Sequence, residues 1–455
     1  MNGLIAGFGR RTVNPPNGCG LSGYFVARYV DGGLDDLEIS ALALSLGGST
    51  VILLSSDTVN IPSDLEKRLR SAVSSATGAD EDAVFATATH THTGPYLDLN
   101  AQGIPEDIPE KLTKDYIDYY VDRAVEAARE AVGNMASAEM SYSTTDASEF
   151  SFNRTFRMKD GTIRTNPGFN NPDVVEAVGS CDGEVKVLSF VTDNGETFVL
   201  VNYANHSDTV GGTKYSADWP GFMRRTVEST IPNAKCLFIN GMEGDINHIN
   251  VFPDEEYLSR VTMDFDDVPR GYAFTEHMGR TIAGKVIASL ENAEKVSVKT
   301  LKYLRRVVNV PTNVPTADEA KEAHRIDALH RAGRDSELPY EGMMLTTIVA
   351  EADRMVKLEY GPSHIEMTMT ALLLGDIALV GVPGEPFNEI GVQLKKSGGI
   401  RTVFPCSLTN GDIGYFPMRD SYERGGYEAR SSLFKAGVGE LIIENGLEMI
   451  YEIIK

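Results

Sequence analysis

Ala88-Thr89-His90-Thr91-His92-Thr93-Gly94-Pro95 is the stretch on which the reading of this chain turns. It follows Ala83-Val84-Phe85-Ala86-Thr87, a short apolar and β-branched run that reads as a buried strand. The Gly94-Pro95 pair then stops it. A strand that continues through His92 puts His90 and His92 on one face, because side chains alternate with a period of two. Two imidazoles side by side at a strand end suit a metal and an adjacent acid–base group, since histidine is the commonest metal ligand. The plainer alternative is two histidines capping a turn.

Working outward, other strands end in the same way. Val185–Val191 and Thr197–Tyr203 flank Asp193-Asn194-Gly195, a strong hairpin signal, and the second strand delivers Asn205-His206-Ser207-Asp208. Ala234–Ile239 opens into a polar loop, Asn240-Gly241-Met242-Glu243-Gly244-Asp245. Ala371–Leu374 and Ile377–Val382 pair about Gly375-Asp376, and Glu385 follows. Two further runs, Ala41–Leu46 and Val51–Ser56, meet at Gly47-Gly48; the flanking Asp36 and Asp57 read as turn residues. Helices are expected from Ser63 to Ala76, closed by Gly78, and from a Thr113 cap to Gly133. Asp218 reads first as a helix cap, and Arg154 in Phe152-Asn153-Arg154-Thr155 as half of a surface ion pair. Residues 316–357 are charged and helical, with His324 and His330 on solvated faces.

The whole chain narrows the possibilities. Its 455 residues carry a net charge of −23, which argues against nucleic acid and anionic membranes as partners. The four cysteines have no CxxC spacing and give neither a disulfide framework nor a cysteine zinc site. No apolar run reaches the ~20 residues of a membrane span. No signal peptide is evident at the N-terminus, so a cytoplasmic location is expected. There is no GxSxG elbow, and Gly7-Phe8-Gly9 lacks the third glycine of a dinucleotide fingerprint, with Thr12 in its place.

His90, His206 and Glu385 thus end three separate strands. In sheet proteins that edge is where side chains from different strands converge on a ligand. Two histidines and a carboxylate form a zinc set with a coordination position left open for water. Zinc there lowers the pKa of water to ~7 and makes a nucleophile at neutral pH.

The motifs together resemble those of the neutral/alkaline, non-lysosomal ceramidases, zinc amidohydrolases that split the N-acyl bond of ceramide. The segments that carry the resemblance are Ala86–Pro95, Asn205-His206-Ser207, Val382-Pro383-Gly384-Glu385, and Gly414-Tyr415-Phe416-Pro417 with Tyr422 and Tyr427-Glu428. Gly23-Tyr24, Asp35-Asp36 and Ser55-Ser56-Asp57 fit as well, so the likeness spans essentially the whole chain. It implies zinc held by His90, His206, Glu385 and Tyr415. It also implies catalytic or substrate-facing roles for His92, Arg154 and Tyr427. The implied fold is α/β, with largely antiparallel or mixed β-sheets sandwiched by helices, in one catalytic domain over 1–455. The immunoglobulin-like C-terminal domain of full-length ceramidases is not expected in this chain. Where those enzymes carry Ser-Pro-Asn, this chain reads Ile246-Asn247-His248, which removes a serine nucleophile and favours activated water. The expected activity is therefore zinc-dependent hydrolysis of an N-acyl amide, ceramide-like or smaller and more polar. The rivals are a zinc hydrolase of lactones or other esters, and a non-catalytic binding protein with the same fold.

Overall fold

The computed structural model describes residues 3–98 and 109–455; Met1 and Asn2, which opened the N-terminal reading, lie outside them. A large sheet runs, in spatial order, through Ala234–Asn240, Thr197–Tyr203, Glu184–Thr192, Ala136–Asp146, Ile5–Thr12, Glu38–Leu46, Ser49–Ser56 and Val84–Ala88. A smaller one is built from Leu301–Pro311, His364–Leu374, Ile377–Gly381 and Thr402–Cys406. The three hairpins expected from the glycine turns all form.

The near-continuous apolar runs have a simple origin, because both faces of the strands are buried. Along Glu38–Leu46, Ile39, Ala41 and Ala43 face a layer of helices, while Leu42 and Leu44 face the second sheet. Leu53, Phe190 and Leu200 of the large sheet pack on Leu372, Leu379 and Phe404 of the smaller one. Helices Ser63–Thr77 and Glu110–Gly133 cover one part of the outer face, and Asp218–Thr230 and Tyr272–Leu290 cover another. Asn388–Leu394 and Val438–Ile454 cover the outer face of the smaller sheet. The layering is helix, sheet, sheet, helix, which is the α/β sandwich expected. Each fully buried Leu or Phe in these interfaces contributes roughly 1.5–3 kcal/mol.

Some local readings change. Gly78 closes the first helix in the left-handed conformation, as expected, with φ 78°. Thr113 is not a cap: the helix begins a turn earlier at Glu110, and Thr113 is buried on its inner face. The charged stretch does fold as two helices, Ala317–Arg331 and Gly342–Leu358, the first started by a Thr316/Glu319 capping box. All four cysteines are free thiols. Among the described residues no helix is long and apolar enough to cross a membrane.

Most pairings are antiparallel. Parallel pairing occurs between Ser49–Ser56 and Val84–Ala88, between Thr197–Tyr203 and Ala234–Asn240, and between Ile377–Gly381 and Thr402–Cys406. A parallel pair sends two C-terminal ends to the same edge, and the loops that leave these pairs carry the polar motifs. The large sheet curls, so that its two outermost strands approach each other. Segment Ser407–Asn410, leaving the smaller sheet, bridges them. Ser407 donates its N–H to the Asn240 carbonyl (3.2 Å), and Asn410 donates to the Ala86 carbonyl (2.7 Å). The Ala88 N–H in turn donates to the Leu408 carbonyl (3.3 Å).

Candidate active site

The strand that leads to the paired histidines stops at Ala88. His90 is not in extended conformation: its φ is 68°. The period-two argument for His90 and His92 is therefore replaced by a turn, which still brings the two rings edge to face at 4.8 Å. A left-handed histidine costs on the order of 1 kcal/mol and persists only where its surroundings fix it. Here His90 donates its backbone N–H to the Thr58 carbonyl (3.0 Å), and its Nδ1 donates to the Val59 carbonyl (2.8 Å). Asp57 steadies the same turn from below. Rather than a simple turn residue, it is a buried partner of Arg224 (2.6 and 2.8 Å) and accepts from the Thr89 hydroxyl.

His206 arrives from the neighbouring parallel pair. Its Nδ1 donates to the carbonyls of Ile246 (2.8 Å) and Glu243 (3.1 Å). The Trp219 indole donates to the His206 carbonyl (3.1 Å). Asp218 is not the helix cap. It has a φ of 54°, and its carboxylate accepts from the N–H groups of Thr209 and Val210, clamping the segment just beyond His206.

Both imidazoles therefore spend Nδ1 on backbone carbonyls and aim the Nε2 lone pair inward. There they meet one carboxylate oxygen. Glu385 Oε2 lies 3.3 Å from His90 Nε2 and 3.2 Å from His206 Nε2, and no hydrogen-bond donor otherwise serves it. With metal–ligand bonds of 2.0–2.2 Å, the edge of a tetrahedral site is roughly 3.3 Å. The spacing fits a divalent cation, and an orphaned, buried carboxylate oxygen between two imidazole lone pairs calls for one. Without a cation a proton takes that place, held between His90 Nε2 and Glu385 Oε2. Burial alone would push His90 down, yet the Glu385 carboxylate holds it up at about 9, while the same carboxylate lies well below its usual range. Burial and the Arg154 charge push His206 down to about 4.

Tyr415 joins Glu385 through a short parallel ladder in which the two residues are register partners. Gly244 packs directly beneath, where a Cβ would fall 2.4 Å from the Glu385 carbonyl oxygen. A Gly244→Ala protein is accordingly expected to shift the Glu385 strand, losing about 1–3 kcal/mol of stability and most of its metal affinity. Denaturant titration and metal binding check this; wild-type values for both would mean that the close approach is not needed.

Arg154 is buried, not on the surface. Its Nε donates to Glu428 (2.6 Å) and its Nη2 to the Gly244 carbonyl (2.8 Å). Nη2 also reaches the Tyr415 hydroxyl (3.3 Å), and Nη1 lies 3.2 Å from His206 Nε2. It stands behind Tyr415 and Tyr427, within 6 Å of both ring centres (5.7 and 5.8 Å). Tyr427 begins a short helix after Gly425-Gly426, both at positive φ, and stacks edge-on against Tyr415 at 5.5 Å. Tyr422 turns away and hydrogen-bonds Ser432.

His92 presents Nε2 to His90 Nε2 at 3.2 Å. Its Nδ1 faces Asp208 at 3.8 Å. Burial, against the pull of Asp208, drives the His92 imidazolium well below its ordinary range, so the near-neutral titration that an unperturbed ring would show is not found. Although burial opposes it, Asp208 stays ionised through a bidentate Arg270 pair (2.7 and 2.9 Å), and it also accepts from Tyr24 (2.6 Å). Gly23 lets the Tyr24 loop approach, for a Cβ there would sit 2.9 Å from His92 Cα, and its φ is 107°.

These groups form the floor of a cavity of about 640 Å³, lined by His90, His92, Glu385, Tyr415 and Tyr427. The loop Ser22–Ala27 makes one wall, and the helical pair 317–358 makes the outer one. His330 is part of that wall and not a solvated-face residue, since its Nε2 donates to the Phe25 carbonyl (2.9 Å) and its Nδ1 meets Asp335 (2.9 Å). His324 is exposed, beside Glu359. His248 lies buried against Phe274 and hydrogen-bonds the Pro269 carbonyl.

The structure thus brings His90, His92, His206, Glu385, Tyr415, Tyr427 and Arg154 together. Sequence reasoning passed over three acidic groups beside them: Asp208 behind His92, Glu428 behind Arg154, and Glu243, which shares ligand-range spacing with His90 and Glu385. Asp208 had a signal, two residues beyond His206; the others had none beyond their loops.

No protein-family model and no curated protein sequence matches the chain. Solved structures share its fold. Neutral ceramidase from Pseudomonas aeruginosa superposes with a TM-score of 0.73 at 17% identity, covering 100% of this chain and 75% of that one. A ceramidase complexed with C2 gives a TM-score of 0.72 at 16% identity, covering 99% and 75%. The expected fold is thereby found across the chain.

Proposed function

We propose that this protein is a zinc-dependent hydrolase of N-acyl amide bonds. The observation that carries the reading is the convergence of two Nδ1-anchored imidazoles on the orphaned oxygen of Glu385, at the floor of a cavity open to solvent. The shared fold with ceramidases supports amide as the bond. His90, His206, Glu385 and Tyr415 would hold the ion, which when bound supplies Lewis-acid activation of a carbonyl and of water.

The chain's own residues do the rest. His92 is neutral, with Nδ1 turned to Asp208, so Nε2 accepts a proton from the attacking water, and the fixed Asp208 charge compensates the imidazolium that results. The same proton is then returned to the leaving amine. Tyr427 keeps its phenol protonated, because burial and then Glu385 push its pKa up. Its hydroxyl therefore donates to the oxyanion of the tetrahedral intermediate, a preorganised contact of the kind that supplies much of an enzyme's rate enhancement. Arg154 holds Tyr415 and the Tyr427 helix in place and adds positive charge behind them. The two walls mix Phe25, Val26 and Val349 with Asp327, Arg331 and Asp353, which suits a modest acyl chain joined to a polar amine better than two long alkyl tails.

Purified protein is expected to hold about one equivalent of zinc, to lose turnover on chelation and to regain it on zinc addition. A panel of N-acyl amines, lactones and esters assayed with the reloaded enzyme reads out the bond. Turnover of amides that survives complete zinc removal, or turnover confined to esters, would refute the reading.

A further inference from the structure

Glu243 occupies the loop after Ala234–Asn240, and that loop is already tied to two of the ligands named above. Its carbonyl accepts from His206 Nδ1 at 3.1 Å. The next residue, Gly244, packs on the Glu385 backbone and donates its N–H to the Pro386 carbonyl at 2.9 Å. With the main chain so constrained, the Glu243 side chain is committed to the interior. It is 0% exposed, and neither carboxylate oxygen has a hydrogen-bond partner. Among the described residues no lysine or arginine forms an ion pair with it. The groups around it are the Ser407 hydroxyl, the His90 ring and, as a like charge, Glu385.

A buried carboxylate without a partner costs several kcal/mol, and two in one pocket repel each other. A cation between them removes both costs. The donor atoms of His90, Glu243 and Glu385 all lie within 4.8 Å of one another. With a fifth ligand the site is no longer tetrahedral, and ligand atoms on opposite sides of a five-coordinate ion with 2.0–2.2 Å bonds are separated by roughly 4.2 Å, so a small rotation of the Glu243 side chain closes the difference.

We propose that Glu243 is a further ligand of the metal, a fifth beside His90, His206, Glu385 and Tyr415. This rests on the metal-site reading above and extends it. The two carboxylates balance the charge of a divalent ion, and the oxygen-rich set gives Glu243 a direct hold on metal affinity. It also accounts for an acidic side chain at a buried position with no ion-pair partner.

The test is metal binding, read without turnover. Wild-type, Glu243→Gln and His90→Asn proteins are stripped with a chelator and titrated with Zn²⁺ against a chromophoric competitor, then with Co²⁺ while its visible absorption is recorded. Wild type is expected to bind one ion. Glu243→Gln should bind it at least about 100-fold more weakly, with a cobalt spectrum of altered intensity, because one oxygen donor is gone. Should the glutamine variant not fold, Glu243→Leu carries the same comparison. Wild-type affinity and an unchanged cobalt spectrum in a folded variant would overturn the proposal, and the loss of metal by His90→Asn would then show that the site itself stands. If wild type binds no ion, the underlying reading falls with it.

Discussion

A His90→Asn protein is expected to fold, to bind zinc on the order of 10³-fold more weakly than wild type, and to lose turnover by at least as much. Asparagine is the informative replacement because the position has a φ of 68°, which asparagine adopts more readily than most residues. The backbone turn is therefore kept while the Nε2 donor is lost. That donor is the one common to both clusters of metal-ligand spacing, His90–His92–His206 and His90–Glu243–Glu385. Lewis-acid stabilisation is worth several kcal/mol, and each 1.36 kcal/mol is a factor of ten in rate, which sets the scale of the loss. Zinc content by mass spectrometry and steady-state kinetics on the best amide of the panel read it out. Full zinc with full activity in the variant would remove His90 from the metal.

Glu428→Ala should produce the largest stability change of any single substitution at the site, about 3–5 kcal/mol. Glu428 is 1% exposed and holds the Arg154 guanidinium, which is itself 7% exposed. Truncating the acid leaves a buried cation beside His206 and two tyrosines with nothing to balance it. A double variant, Glu428→Ala with Arg154→Met, should recover a large part of the loss, because it removes the unpaired charge along with its partner. Urea unfolding of the two proteins measures both effects. A cost below about 1 kcal/mol for Glu428→Ala would mean that the ion pair does not hold the Tyr427 helix. In the folded fraction kcat should fall more than KM rises, since Tyr427 is expected to act on the transition state.

Much of this fold is legible in the chain because its signals are local. Gly47-Gly48, Asp193-Asn194-Gly195 and Gly375-Asp376 mark three hairpins, and the apolar runs beside them need both faces buried. That strands deliver His90, His206 and Glu385 could be read for the same reason. The left-handed turn at His90 could not, because nothing in Thr89-His90-Thr91 marks it; it is imposed by bonds to Thr58 and Val59, some thirty residues away. Thr113 misleads as a cap because an earlier start at Glu110 lets Tyr116, Ile117 and Tyr120 reach the core together. Asp208 and Glu428 draw their meaning from Arg270 and Arg154, and Glu243 from its place beside His90 and Glu385, all far away in sequence.

The bridge made by Ser407–Asn410 bears on when the site comes into being. Asn410 bonds to Ala86 across 324 positions of sequence, and this contact exists only where the two sheets are docked. His90 and His206 follow strands of the large sheet, while Glu385 and Tyr415 lie on a short ladder that follows strands of the smaller one, so neither sheet alone brings the four together. Contacts of such long range form late and slowly. If the proposed ion has affinity only for the finished site, it would act as a latch on the last step of folding and withdraw the product from the partly assembled states that precede it.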